Sequence, residues 1–201
     1  MLTITTTYRP ARVEDCFTIA RLFQIAADGV VDYLWSTLQA DYPGLTPLEI
    51  GAQRFANPDS NCSYRNCVMA EREAEIVGMM MTFAIAEPDE APQALSTETD
   101  SEIPDVMAPY ALEKAGTWYI CALAVFPEFR GQGIGSGLLA LAHRQAREQG
   151  FEELSLLCFE QNMGAKQLYE RCGFKTIDRT PVVPHPLIHH TGDLLLMTVE
   201  A

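Results

Sequence analysis

Residues 130 to 139 read RGQGIGSGLL, with glycine at 131, 133, 135 and 137, directly after the apolar run TWYICALAVF at 117 to 126. A glycine inside a helix costs about 1 kcal/mol relative to alanine, so a helix that opens on alternating glycines needs a reason for them. The run is apolar on both faces, as expected for a central strand covered on both sides, and passes through Pro127 into the glycines. Beyond them Ile134, Leu138, Leu139 and Ala142 form a helical stripe that ends at Gly150. The first turn of a helix carries unpaired N–H groups and about half a positive charge, and glycine lets a ligand approach without a Cβ in the way. Arg130 adds a full charge beside it. The stretch therefore reads as an anion cradle at a strand-to-helix turn.

The remaining segments extend this α/β pattern. TITTTYRP, closed by Pro10, reads as a strand, and Cys16, Ile19, Ala20 and Phe23 place a helix over about 13 to 27. A second helix is predicted over about 30 to 40 and a third to about 56, opened by Thr46 as N-cap and Pro47 as first helical residue. Tyr33, Trp35 and Tyr42 among Asp32, Asp41 and Glu49 suit either a pocket wall or core packing, with packing the commoner use of an aromatic. Residues 66 to 86 have the pattern of a hairpin turning near Glu73 to Glu75. Between Glu87 and Glu113 lie eight acidic residues and no basic one, an acidic insertion over about 87 to 116 with a short helix near 105 to 114. It reads as a solvated loop ahead of a substrate-attracting lid. LSLLCF at 154 to 159 is a second buried strand, followed by a helix over 162 to 172 between Asn162 as N-cap and Gly173 as its stop. Strands near 174 to 180 and 193 to 199 close the chain. Strand, glycine turn, helix and strand make a right-handed parallel crossover.

At 201 residues with no internal repeat, the default is one compact α/β domain spanning 1 to 201. No apolar run reaches the roughly 18 residues of a membrane span, and MLTITTTYRP lacks the layout of a secretion signal, so a cytoplasmic protein without a membrane partner is expected. Six scattered cysteines read as small buried hydrophobes; Cys62 and Cys67 lack the second ligand pair of a zinc site. His185, His189 and His190 read as loop residues around Pro184 and Pro186 rather than a ligand set, so no metal is expected. A net charge of −13 disfavours nucleic acid and attracts cations, although solubility alone explains such a charge.

Two common phosphate cradles fail here. A P-loop needs Gly-Lys followed by Ser or Thr, and a dinucleotide fingerprint needs G-x-G-x-x-G, whereas these glycines are spaced by twos throughout. Arg130, Gly133 and Gly135 satisfy Arg-x-x-Gly-x-Gly. With the strand before it, this resembles motif A of the GNAT superfamily, the GCN5-related N-acetyltransferases. NMGAKQLYERCGF at 162 to 174 is similar to the family's motif B, and YRPARVEDCFTIARLF to its first strand and helix. The likeness is least over 29 to 60, the acidic insertion and 181 to 192.

The resemblance implies a GNAT fold: a mixed sheet splayed between two central parallel strands, here 117 to 126 and 154 to 159, and flanked by helices. It implies acetyl-CoA as cosubstrate, held along Leu123, Ala124 and Val125 through the backbone of Leu123 and Val125. The pyrophosphate would lie on the amides of Arg130, Gly131, Gln132, Gly133, Ile134, Gly135 and Ser136. Asn162 would contact the cofactor arm. The implied reaction is attack of a neutral amine on the thioester in a ternary complex, which needs a base, an oxyanion donor and an acid for the leaving sulfur. The family assigns the acid to Tyr169 and the oxyanion donor to the N–H of Val125 or Leu123. The stripe Ala165, Leu168, Tyr169, Cys172 explains Tyr169 equally well as packing. For the base, some relatives carry a glutamate where this chain has Thr117 and Trp118; Glu113, Glu160, His185 and a water chain all stay open. The acceptor is a primary amine on a small molecule or peptide, cationic if the acidic charge matters. A non-catalytic acyl-CoA-binding module and a transferase of longer acyl groups are the alternatives. Both a monomer and a homodimer fit.

Overall fold

The computed structural model describes residues 5–87 and 105–201. Contacts divide the chain into two compact units, Met1–Phe83 with Ile120–Ala142 and Leu187–His189 in the first, and Ala84–Tyr119, His143–Pro186 and His190–Ala201 in the second.

In the first unit, β1 (Thr7–Pro10), β2 (Cys67–Arg72) and β3 (Glu75–Ile85) form an antiparallel set, with Thr7 opposite Glu71 and Cys67 opposite Met81. The β2–β3 turn holds Glu73 at φ +50° and Ala74 at φ +65°, where the hairpin reading places it. Helices α1 (Cys16–Ala27), α2 (Val30–Thr37) and α3 (Pro47–Phe55) supply one wall of the core. The third opens on a reciprocal capping box: Glu49 N–H donates to Thr46 Oγ1 at 3.3 Å and Thr46 N–H to Glu49 Oε2 at 2.8 Å. Ile19, Leu22, Ile50, Met69, Met79 and Met81 are wholly inaccessible at its centre. Trp35 is 2% exposed, edge-on to Phe55, so it packs in the core.

The second unit is built on β5 (Glu153–Phe159), β6 (Lys175–Pro181) and β7 (Asp193–Glu200). β7 pairs antiparallel with both neighbours, placing Leu196 opposite Leu157 and Asp178. Helix α5 (Met163–Arg171) ends at Gly173, whose N–H donates to Glu170 O at 3.0 Å. The short helix expected near 105 to 114 is a single 3₁₀ turn, Ala108–Ala111, while most of the acidic insertion lies outside the described residues.

The glycine-turn strand, β4 (Thr117–Val125), and the helix after it, α4 (Ile134–Glu148), each contribute residues to both units. The hydrogen-bonded strand order is β1-β2-β3-β4-β5-β7-β6, a mixed sheet in which β4 and β5 run parallel. Among the described residues, no helix is long and apolar enough to cross a membrane.

Candidate functional site

The glycine turn lies wholly in the first unit. Phe126 N–H donates to Val77 O on β3 at 3.0 Å, so the peptide before it points the Val125 carbonyl the opposite way. By strand alternation the backbone groups of Leu123 and Val125 face away from β3 while Ala124 faces it. A 3₁₀ turn, Pro127–Phe129, then carries the chain to Arg130. Arg130 N–H is taken by Pro127 O at 3.2 Å, and its Nε donates to Val125 O at 3.2 Å. The open amides therefore begin at Gly131: among the described residues Gly131, Gln132 and Gly133 donate no turn or loop hydrogen bond to the backbone, and the helical ladder starts with Gly137 N–H to Gly133 O at 3.0 Å.

Two of the glycines are explained by conformation. Gly131 has φ +72° and Gly133 φ +81°, a region that side-chain-bearing residues occupy at a cost of about 1–2 kcal/mol each. A Cβ on either would meet nothing within 4 Å, so conformation and not crowding calls for glycine there. Gly137 has a different reason, because a Cβ there would fall 2.0 Å from the Tyr8 hydroxyl. A second cation, which the local sequence does not announce, reaches the turn: Arg72 on β2 bonds the Gln132 side chain and donates from Nη2 to Gln132 O at 3.4 Å. Next to the turn, a cleft of about 410 Å³ is lined by Arg21, Gln24, Ile25, Phe126, Pro127 and Glu128. Arg21 stacks over the Phe126 ring at 5.3 Å.

The motif B residues lie in the second unit. Asn162 caps α5, its Oδ1 accepting from Ala165 N–H at 3.1 Å. About two turns on, Tyr169 is 7% exposed, with its ring 5.8 Å from Phe174. Burial, with a smaller contribution from Cys158, pushes its phenol well above the usual range. It stays protonated at neutral pH, as a proton donor must.

The candidate bases differ in surroundings. Glu113 is exposed; Glu160 pairs with Arg179 at 3.8 Å, which also holds Asp193 at 3.4 Å; His185 is half-buried in the loop before β7. At the start of β4, Thr117 is fully buried, donates to Lys114 O at 2.8 Å and sits 2.6 Å from Ser155 Oγ. That hydroxyl pair is closed on itself and offers no base. His189 Nδ1 lies 3.4 Å from Asp28 Oδ1 in the first unit. Among the described residues no group of three or more His, Cys, Asp or Glu is arranged for a metal.

The model of the acetyltransferase (GNAT) family matches residues 28–174, a span that takes in both the glycine turn and α5. The chain belongs to the GNAT family. An uncharacterized N-acetyltransferase, YycN, of Bacillus subtilis is 35% identical over 30% of this chain and 38% of its own length. The N-alpha-acetyltransferase MAK3 of Arabidopsis thaliana is 43% identical over 28% of this chain and 30% of its own. The match thus spans about a third of these curated relatives. An N-acetyltransferase structure from Staphylococcus aureus Mu50 superposes with TM-score 0.63 at 21% identity, over 96% of this chain and all of that one. The PaiA N-acetyltransferase of Thermoplasma acidophilum, solved in complex with coenzyme A, does so at 0.59 and 16%, over 98% of this chain and 100% of that one. At those identities the likeness concerns the fold.

Proposed function

We propose that this GNAT protein is an N-acetyltransferase that uses acetyl-CoA to acetylate a primary amine. The observation that carries the reading is the turn at 131 to 133, two positive-φ glycines with open space where a side chain would begin, at the head of a helix. Such a backbone cradle suits a diphosphate, and Arg72 and Arg130 put cationic side chains beside it. Coenzyme A supplies the thioester whose carbonyl an amine attacks. In this assignment Leu123 and Val125 offer the backbone groups that face away from β3 to the cofactor arm, and the N–H of one of them stabilises charge on the thioester oxygen. Asn162 holds the first turn of α5 and contacts the arm. Tyr169, kept neutral by burial, donates its proton to the departing thiolate. The ammonium proton of the acceptor goes to Glu113, Glu160, His185 or through water to solvent.

The net charge of −13 supports a cationic acceptor, a small molecule or a basic peptide. A non-catalytic acyl-CoA-binding reading takes its support from the closed Thr117–Ser155 pair, which stands where some relatives carry a glutamate. One assay separates the two readings: release of free CoA thiol from acetyl-CoA over a panel of polyamines, aminoglycosides and lysine peptides. Amine-dependent release with an acceptor KM that rises with ionic strength supports the transferase and the cationic acceptor. CoA binding without release from any amine supports the module.

A further inference from the structure

The glycine turn is gripped from a part of the chain 60 positions away. Arg72 ends β2, opposite Glu75 across the hairpin turn, and its guanidinium bonds two other segments of the first unit. Its Nε donates to Oγ1 of Thr6, just before β1, at 2.8 Å. Both terminal nitrogens go to Gln132: Nη1 to the side-chain oxygen and Nη2 to the backbone carbonyl, the latter at 3.4 Å. Gln132 is tied once more, its Nε2 donating to Glu128 O at 3.3 Å. One fork thus holds one residue by two acceptors, which a planar guanidinium does and a lysine ammonium does not.

Gln132 stands between Gly131 at φ +72° and Gly133 at φ +81°. Turning the Gln132–Gly133 peptide over changes ψ of Gln132 and φ of Gly133, and glycine accepts either sign of φ about equally well. The glycines permit the open turn but do not enforce it. Among the described residues the Gly133 N–H donates no turn or loop hydrogen bond to the backbone, so the backbone does not hold that peptide from its N–H side. The hold comes at the other end. In a trans peptide the C=O and the N–H that follows it point in opposite directions. With its carbonyl oxygen held by Arg72, the 132–133 peptide turns the Gly133 N–H away from that guanidinium.

We propose that Arg72 is a positioning residue for coenzyme A, locking the Gln132–Gly133 peptide so that the Gly133 N–H faces the diphosphate instead of β2. This assignment rests on the acetyl-CoA reading of the turn. All three guanidinium nitrogens are engaged by the protein's own acceptors, Nε by Thr6 and the terminal pair by Gln132, so the side chain acts through the peptide it holds. Arg130 differs. Its Nε returns to Val125 O, five positions earlier, and braces the end of β4 rather than the 132–133 peptide.

The test compares the wild-type chain with Arg72→Met, Arg72→Lys and Thr6→Val. Titration calorimetry with coenzyme A should show about tenfold weaker binding in Arg72→Met, the factor for one charge-assisted hydrogen bond, and Arg72→Lys should not restore it. Thr6→Val keeps the arginine but frees its Nε, and should weaken binding by about threefold. In the ligand-free chain, amide relaxation dispersion should show Gly133 exchanging on the microsecond-to-millisecond scale in Arg72→Met and not in wild type, with Ala142 in α4 quiet in both. Full recovery of affinity by Arg72→Lys makes the residue a simple charge and overturns the lock, as does a Gly133 amide that behaves alike in wild type and Arg72→Met. Wild-type affinity in Arg72→Met, or in Thr6→Val where the Arg72 variants fail to fold, overturns it too. A wild-type chain that does not bind coenzyme A removes the acetyl-CoA reading instead, and the dispersion comparison alone then decides whether Arg72 locks the peptide.

Discussion

Gly133 holds φ +81° with open space where a side chain would begin, whereas Tyr169 is 7% exposed with its ring against Phe174. The glycine turn presents backbone and depends on conformation alone. Helix α5 presents one side-chain atom and depends on packing that holds a phenol out of water. A polar site built from backbone is damaged by any residue that refuses the φ angle, while a site built from a side chain is damaged by losing one oxygen. Substitutions in the two regions should therefore separate binding from chemistry.

The largest effect is expected at Tyr169→Phe, which removes the oxygen and keeps the ring contact. Turnover measured by thiol release should fall by about 10²-fold or more, with CoA affinity changed by no more than about twofold. A fall in both by equal factors would make the residue a packing element, like its neighbours on the stripe. The same variant tests the pH argument. Burial raises the folded pKa of Tyr169 above the ordinary value of 10.0, so the folded state keeps the proton that the unfolded chain releases. Its contribution to stability is complete below pH 10.0 and is lost as pH rises toward the folded value. Urea titrations above pH 10 should show a steeper loss of stability in the wild type than in Tyr169→Phe.

A smaller effect sharpens the contrast within the glycine turn. Gly137→Ala crowds the Tyr8 hydroxyl, at 2.0 Å from the new Cβ, and overpacking of this kind costs about 1–3 kcal/mol against about 1 kcal/mol gained in helix propensity. The net loss should be about 1 kcal/mol by denaturant unfolding. In a Tyr8→Leu background the same change should become stabilising, and a cycle without coupling would separate the two residues. Asn162→Ala should act least, lowering stability by about 1 kcal/mol through the lost cap at Ala165 N–H. A thermal melt unchanged by Asn162→Ala would remove the cap from the account.

The parts legible in the sequence are those encoded by neighbours. Thr46, Pro47 and Glu49 announce the start of α3, Asn162 and Gly173 bracket α5, and the spacing of Gly131 and Gly133 announces a turn before α4. Each signal is a local backbone requirement, met by residues within a few positions. The end of α2 at Thr37 rather than near 40 reflects a local choice, with Leu38 and Gln39 bonding back to Trp35 and Ser36 as tighter turns. What the sequence concealed was pairing at a distance. The partner of Gly137 is Tyr8, that of Gln132 is Arg72, and that of Thr117 is Ser155, none of them within 30 positions. Alternating apolar residues set which face of a strand is buried, but not which residue of another strand will stand opposite. Gly137, which lies beyond the amides of Arg130 to Ser136 assigned to the cradle, answers to a hydroxyl that only the folded chain brings near.

Titration calorimetry of coenzyme A is the most direct measurement of the central claim, made on the wild-type chain and on a Gly131→Ala, Gly133→Ala double variant. The account predicts saturable binding to the wild type and a loss of about tenfold or more in the variant, from strain of about 1–2 kcal/mol at each position. Absence of binding to the wild type, or equal affinity for a folded variant, would contradict it.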